Sequence, residues 1–324
     1  MPSPHSATNR PPPRFPDAVL RWRNSESENM SSEPDAVRQA PDGVKSFDFS
    51  DEVCAAIARL FFSYSGIRLP PQKYPLIRSR FSKTVARLRL RQPDQFFQFL
   101  QEQRNAGNLD DLLECLTTNH TFFLREKVHF EIMVDHLTRL PTNALSEPIR
   151  VWSAGCATGE EPYSIACFLA DHFGVNNAGW QVIGSDISRK AIGLATAGIY
   201  PDGKLLAVPA EWRAKYFLQG GDEHTGEFKV KPCLARHVLF RQENLLKAVP
   251  ATGAFQVIFC RNLFIYLDRD IQQALLDRFH EALSEGGLLF TGHSESLAGM
   301  NSPFSNFKPS VYQKGAAPCR KSEH

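Results

Sequence analysis

The stretch Val151-Trp152-Ser153-Ala154-Gly155-Cys156-Ala157-Thr158-Gly159-Glu160-Glu161-Pro162-Tyr163-Ser164 decides the fold. An apolar strand runs into a glycine-containing turn. Pro162 then stands in the first turn of a helix, where its missing N–H costs nothing. Gly155 and Gly159 let the backbone approach a ligand closely. The outline is that of a dinucleotide fingerprint, with one chemical difference. A phosphate site uses the free N–H groups of a helix N-terminus. Here Glu160 and Glu161 occupy that place, where they repel a pyrophosphate and favour a cation. A plainer reading is that the two acids merely suit the helix dipole.

The next strand, expected over 181–185, leads into Asp186, 27 residues after Gly159 (186 − 159). An acid at this place binds ribose hydroxyls in a Rossmann-like unit or caps the following helix. Spacing alone leaves both open. With the acidic turn in register, a nucleoside that also carries positive charge gains weight. S-adenosylmethionine, with its ammonium and its sulfonium, is such a ligand.

Downstream of Pro148, short apolar runs alternate with amphipathic segments, the pattern of a parallel sheet with crossover helices. Strands are expected at 149–153, 181–185, 238–241, 256–260 and 288–291. Helices are expected at 161–173, 189–197 and 269–284, the last capped by Asp268 and closed by Gly286-Gly287. Segment 303–314 reads as a hairpin on the sheet edge. Residues 218–236, with Gly220-Gly221, Gly226 and the alternation Phe228-Lys229-Val230-Lys231, read as a small β insertion.

Upstream, residues 47–140 read as all helical. Ser50 is a plausible N-cap before Asp51 and Glu52, with Val53, Ile57, Leu60 and Phe61 at helical spacing and Gly66 as the stop. A second helix, 75–91, carries the stripe Ile77, Phe81, Val85 and Leu88. Further helices are expected near 96–100, 109–116 and 126–140. The organisation is therefore a disordered tail (1–45, with Pro11-Pro12-Pro13), a helical domain (46–140), an α/β domain (141–316) and a short tail (317–324).

The 324 residues suffice for a sizeable core. A net charge of +2 gives no general grip on nucleic acid. The seven cysteines form no CxxC pair, which argues against a zinc site and fits a reduced cytoplasmic compartment. No secretory apolar region opens the chain, and no run of about 18 apolar residues suggests a membrane span. A monomer is the default expectation.

Four more segments sharpen the reading: Thr117-Thr118-Asn119-His120-Thr121-Phe122-Phe123-Leu124-Arg125-Glu126, Asn244-Leu245-Leu246, Phe259-Cys260-Arg261-Asn262-Leu263-Phe264-Ile265-Tyr266, and Gly292-His293-Ser294-Glu295-Ser296. With 152–164 and Ser185-Asp186-Ile187, they resemble the chemotaxis receptor methyltransferases, the CheR family, over about 47–314. The resemblance implies an all-helical domain preceding a Rossmann-like, S-adenosylmethionine-dependent methyltransferase domain of α/β class with a small antiparallel β subdomain. It implies that Asn119, Thr121, Arg125, Glu161, Asp186, Asn244, Leu245, Cys260 and Arg261 line the cofactor site, with Asp186 on the ribose. Arg125 and Tyr266 would stand nearest the methyl transfer. One departure is Leu124, where the family often has an aromatic residue.

The implied reaction forms glutamate methyl esters on cytoplasmic helices of methyl-accepting chemotaxis receptors, leaving S-adenosylhomocysteine. A glutamate of reference pKa about 4.3 is already ionised, so the task is alignment and desolvation rather than proton removal. Arg80, Lys83, Arg87 and Arg91 share one face of the second helix. That face is either a solvated surface or a guide for an acidic receptor helix. Some members also dock a receptor C-terminal peptide on the β subdomain by strand addition, and 218–236 is long enough for this. A nucleic-acid methyltransferase is disfavoured because Cys260-Arg261-Asn262-Leu263 replaces the Asn/Asp-Pro-Pro-aromatic motif of amino-methylating enzymes. A binding adaptor without turnover is the other alternative.

Overall fold

The computed structural model of the protein describes residues 47, 49–105, 116–117, 119–140, 148–247 and 254–315. The tails expected over 1–45 and 317–324, and all but the last residue of the helix expected over 109–116, lie outside the described residues.

Helix α1 (Asp51–Ser65) starts where the Ser50 hydroxyl accepts the Val53 N–H and stops at Gly66, whose φ of 71° closes it. Helix α2 (Tyr74–Arg87) and helix α3 (Pro93–Asn105) follow. The three bury Ile57, Phe61, Ile77, Phe81, Phe96 and Leu100 in one cluster, with Phe81 and Phe96 edge to face at 5.3 Å.

The second helix ends sooner than expected. Arg89 turns left-handed (φ 53°), its N–H bonds to the Ala86 carbonyl, and the Leu90 N–H reaches back to Val85. This is a Schellman-type stop formed without glycine. Arg91 therefore leaves the helical face that its spacing had placed it on.

Helix α4 (Val128–Thr138) was expected to close the helical domain. It packs on the sheet instead, burying Phe130, Met133 and Leu137 with Val151, Leu169 and Phe259. Phe130 stacks between Phe168 and Phe259, at 5.3 and 5.6 Å.

The sheet domain follows the expected alternation. In chain order come β1 (Ile149–Ala154), α5 (Glu160–Phe173), β2 (Trp180–Asp186), α6 (Arg189–Ala197), β3 (Ile199–Pro201), α7 (Ala210–Tyr216), β4 (Phe217–Gln219) and β5 (Glu227–Val230). Then come α8 (Pro232–Ala235), β6 (Val238–Gln242), β7 (Phe255–Phe259), α9 (Arg269–Ala282), β8 (Leu283–Phe290), β9 (Phe304–Lys308) and β10 (Val311–Lys314). The main sheet runs β6-β2-β1-β7-β8-β10-β9. Strands β6 to β8 in that order are parallel, and the β9–β10 hairpin adds antiparallel to β8, as expected of 303–314.

Both faces of β1, β2 and β7 are buried, which explains their unbroken apolar runs. Val151, Val182 and Val257 face α4 and α5, while Trp152, Ile258 and Leu289 face Leu275, Leu276 and Phe279 of α9. The small sheet is antiparallel, β3-β5-β4, so the β insertion draws its third strand from upstream of 218.

Two expectations at α9 need correction. Asp268 precedes the helix but makes no capping hydrogen bond; its carboxylate pairs with Arg68. Gly286-Gly287 does not close the helix, because Leu283 is already extended and begins β8. The register of β7 against β8 shifts between Phe255 and Val257, and Gly286 (φ 76°) lies in that irregular stretch.

Gly159 ends the turn after β1 at φ 94°, and a Cβ there would meet Ala195 Cβ and the Tyr200 hydroxyl at 2.8 Å. Gly159→Ala should therefore cost at least about 2 kcal/mol through strain and overpacking. Gly193→Ala, which opens on empty space within α6, should be neutral or stabilising. Thermal denaturation of the two variants checks this.

Candidate functional site

Winding reverses between β1 and β7, since β1 pairs with β2 on one side and β7 on the other. Ligands of open α/β sheets bind at the carboxyl ends of strands at such a point. A cavity of about 480 Å³ lies there, a size suited to a small-molecule ligand.

The turn after β1 forms its floor. The N–H groups of Gly155 and Cys156 both donate to the Ser185 carbonyl, at 2.8 and 2.9 Å. The Asp186 carboxylate accepts the Ala157 N–H (2.9 Å) and the Ser188 N–H (2.9 Å). Ser188, not Asp186, caps α6 through its hydroxyl. Of the two readings of Asp186, the cap falls away, and its carboxylate faces the cavity.

The paired glutamates divide. Glu160 turns into the protein, fully buried, where its carboxylate accepts the Thr158 hydroxyl (2.6 Å) and takes the Lys204 ammonium (2.9 Å). It is not part of the cavity wall. Glu161 is, and it accepts the Ser153 hydroxyl (2.7 Å) and Arg261 Nε (2.6 Å). Part of its charge is thus spent on Arg261 rather than offered to a ligand.

Arg261 leaves β7 with a side chain 2% exposed. Its Nη1 donates to the Arg125 carbonyl at 2.7 Å, and its guanidinium lies over the rings of Phe130 and Phe259. This fixes the turn bearing Arg125, flanked by left-handed Leu124 (φ 60°) and Glu126 (φ 52°). The Arg125 guanidinium lies over the Phe122 ring at 5.4 Å and has no carboxylate partner among the described residues. Tyr266, 41% exposed, lines the same cavity. Leu124 is buried, and its N–H donates to the Ser164 hydroxyl, so the family's aromatic position is filled by packing.

Asn119 and Thr121 also reach the cavity, and Asn119 Nδ2 donates to the Ser188 hydroxyl at 3.3 Å. Asn244 and Leu245 line a smaller annex of about 60 Å³, which shares Gly155, Asp186 and Leu263 with the main cavity. The Asn244 amide donates to the Tyr64 carbonyl at 2.8 Å. Cys260 is the exception. It is fully buried beneath the site and lines neither space, and burial pushes its thiol well up.

The expected basic face is less uniform than its spacing. Arg80 donates to the Thr117 carbonyl at 2.8 Å and is half-buried, Arg87 and Arg91 are exposed, and the Lys83 side chain lies outside the described residues. Arg80, Arg87 and Arg91 do not border the cavity. Arg68, Lys73 and His120 do. The linker after α1 brings the first two: Ile67 bridges to Leu267, and the Arg68 N–H donates to the Tyr266 carbonyl at 2.9 Å. Only long-range pairing places them, so local sequence carried no signal. His120 sat inside a motif already singled out.

Behind Arg125, Glu126, His129 and His293 bring three potential ligand atoms within 4.8 Å of one another. Arg261 Nη1 already stands 3.5 Å from both Glu126 Oε2 and His129 Nδ1. The guanidinium is the cation of this cluster. Burial first, then Arg261 and His293, pulls His129 down to about 3.

His129 is thus neutral in the fold and titrates near 6.5 once unfolded. Its contribution to stability is present above pH 6.5 and is lost as pH falls from 6.5 towards 3. At pH 5 this amounts to about 2 kcal/mol. Denaturant titrations at pH 7 and pH 5 should show a smaller drop in His129→Gln by about that amount. An equal drop would mean that the folded histidine already carries the proton.

With this geometry in hand, comparison with known proteins is direct. Residues 119–313 match the family described as CheR methyltransferase, SAM binding domain, and residues 54–118 match CheR methyltransferase, all-alpha domain. The chain is 36% identical over 264 residues to the chemotaxis protein methyltransferase of Escherichia coli K12, covering 81% of this chain and 91% of that one. It is 36% identical over 256 residues to chemotaxis protein methyltransferase 2 of Pseudomonas aeruginosa, covering 79% and 90%. The chain belongs to the CheR methyltransferase family, whose S-adenosylmethionine-binding domain spans the sheet domain and the cavity at the end of β1.

Proposed function

We propose that this protein transfers a methyl group from S-adenosylmethionine to glutamate side-chain carboxylates on the cytoplasmic helices of chemotaxis receptors, forming methyl esters. The observation that carries the reading is Arg125: a cavity-lining guanidinium, stacked on Phe122 and without a carboxylate partner among the described residues.

When bound, S-adenosylmethionine supplies a methyl group on a positively charged sulfur. The residues present fit it. The Asp186 carboxylate, held on the cavity wall by the Ala157 and Ser188 N–H groups, is an acceptor suited to ribose hydroxyls. Leu245, Leu246, Leu263 and Ile187 give the annex an apolar lining suited to a flat base. Arg261 Nη2 enters none of the bonds that hold Nε and Nη1, which leaves donors for the cofactor carboxylate.

Arg125 orients the incoming carboxylate through its guanidinium fork. It positions rather than clamps, because a tight ion pair would blunt the nucleophile. The Tyr266 phenol supplies a further hydrogen bond. The carboxylate arrives ionised, so no side chain has to take a proton.

Arg87 and Arg91 remain as exposed cations that would steer an acidic helix. Arg80, tied to Thr117, acts on the wall instead. The edge strands β3 and β4 of the small sheet offer a place for a receptor peptide to add. Among the described residues no helix is long and apolar enough to cross a membrane, which suits an enzyme working from the cytoplasm on membrane-anchored receptors.

Methyl-labelled S-adenosylmethionine, incubated with receptor-containing membranes and then mild alkali, should release label as methanol. Arg125→Ala should cut turnover by about 100-fold. Label that survives alkali would mean methylation at nitrogen or carbon. Bound cofactor without transfer would favour the adaptor. Arg87→Glu should raise the receptor KM by about 3- to 10-fold at low salt and leave cofactor binding intact. An unchanged KM would remove Arg87 from the docking surface.

A further inference from the structure

Glu295 is 4% exposed, yet it has no ion pair among the described residues. Burial raises the pKa of its carboxyl. An unpaired buried carboxylate is costly unless hydrogen bonds compensate. Here the partners are backbone donors. Oε2 accepts the Asn262 N–H (2.7 Å) and the Gly292 N–H (2.7 Å), and Oε1 accepts the Ile265 N–H (3.2 Å).

All of these bonds run to two backbone segments. Asn262 and Ile265 belong to the turn after β7, and Gly292 to the turn after β8. The β7 turn holds Asn262 in the left-handed region (φ 59°), which costs a non-glycine residue energy. The same turn carries Tyr266 and, through Leu267 and the Tyr266 carbonyl, the pairing with Ile67 and Arg68. Glu295 itself does not border the cavity. A Cβ on Gly292 would come within 2.9 Å of Glu295 Oε2 and 2.8 Å of Asn262 Nδ2, so the carboxylate fills its niche fully.

We infer that Glu295 is a positioning residue: its carboxylate holds the 262–267 turn and thereby aims the Tyr266 phenol at the carboxylate that receives the methyl group. The inference rests on the reading of Tyr266 given above. A side chain serving only the fold would need no charge here, whereas a carboxylate can accept several N–H groups at once and fix their directions. Gln keeps the shape but offers one acceptor oxygen and brings N–H groups against N–H groups.

The test is a double-mutant cycle on the full chain, Glu295→Gln with Tyr266→Phe, combined with amide hydrogen exchange. Glu295→Gln should speed exchange at Asn262, Ile265 and Gly292 and leave the β1 and β2 amides protected. It should lower kcat by about 10-fold or more, with receptor KM and S-adenosylmethionine Kd within about 3-fold, and cost no more than about 2-fold in the Tyr266→Phe background. Should Glu295→Gln fail to fold, Gly292→Ala displaces the carboxylate without removing it and should show the same split.

Unchanged exchange at the three amides would overturn the inference. So would an equal loss of kcat in both backgrounds, which marks a general structural effect. Full activity of Tyr266→Phe would sink the tyrosine reading alone, and the exchange data would still decide whether Glu295 holds the turn.

Discussion

The buried pair between Arg261 and Glu161 is the interaction on which the site depends. A guanidinium 2% exposed cannot be left without partners, because removing one member of a buried pair commonly costs several kcal/mol. Two separate pieces of chain answer that demand at the exit of β7: the first turn of α5 through Glu161, and the turn at 125–126 through the Arg125 carbonyl. The faces of Phe130 and Phe259 add cation–π contacts that hold the group in one plane. The cavity floor, its far wall and the arginine at its mouth are thus locked to one another by a single side chain.

The two adjacent glutamates follow from the same constraint. Each is satisfied by a different cation, Glu160 by Lys204 and Glu161 by Arg261, and each accepts a hydroxyl from the β1 turn region. They stiffen the turn as much as they attract charge. An electrostatic lure for a sulfonium, which the sequence alone suggested, is half taken up by structural partners. The remaining attraction is directional, through a carboxylate already held in place.

What could be read beforehand was local. The β1–turn–α5 unit, the end of β2 at Asp186, the stop at Gly66 and the terminal hairpin all announce themselves within a few residues through periodicity, glycine and proline. What could not be read was distant or chemically disguised. A stop at Arg89 without glycine carries no signal. The stripe of α4 says that one face is buried but not that the sheet buries it. Cys260 sits in a motif of cavity residues, yet strand alternation turns its side chain into the core. Arg68 meets Asp268 across 200 positions, and its place on the cavity wall is invisible until the linker pairs with Leu267.

That linker is the lightly bonded side of the chamber. On the sheet side the cavity is bounded by buried pairs, whose rupture costs several kcal/mol. On the linker side it is closed by the Ile67–Leu267 β-bridge, with its Arg68 N–H to Tyr266 carbonyl bond, and by an ion pair whose arginine is mostly in water. The bonding around the chamber is therefore uneven: the paired arginine on the linker side lies largely in water, and the one on the sheet side is buried. The firm side of the cavity is thus the one built on α5 and the exit of β7, and the loose side the one built on the linker.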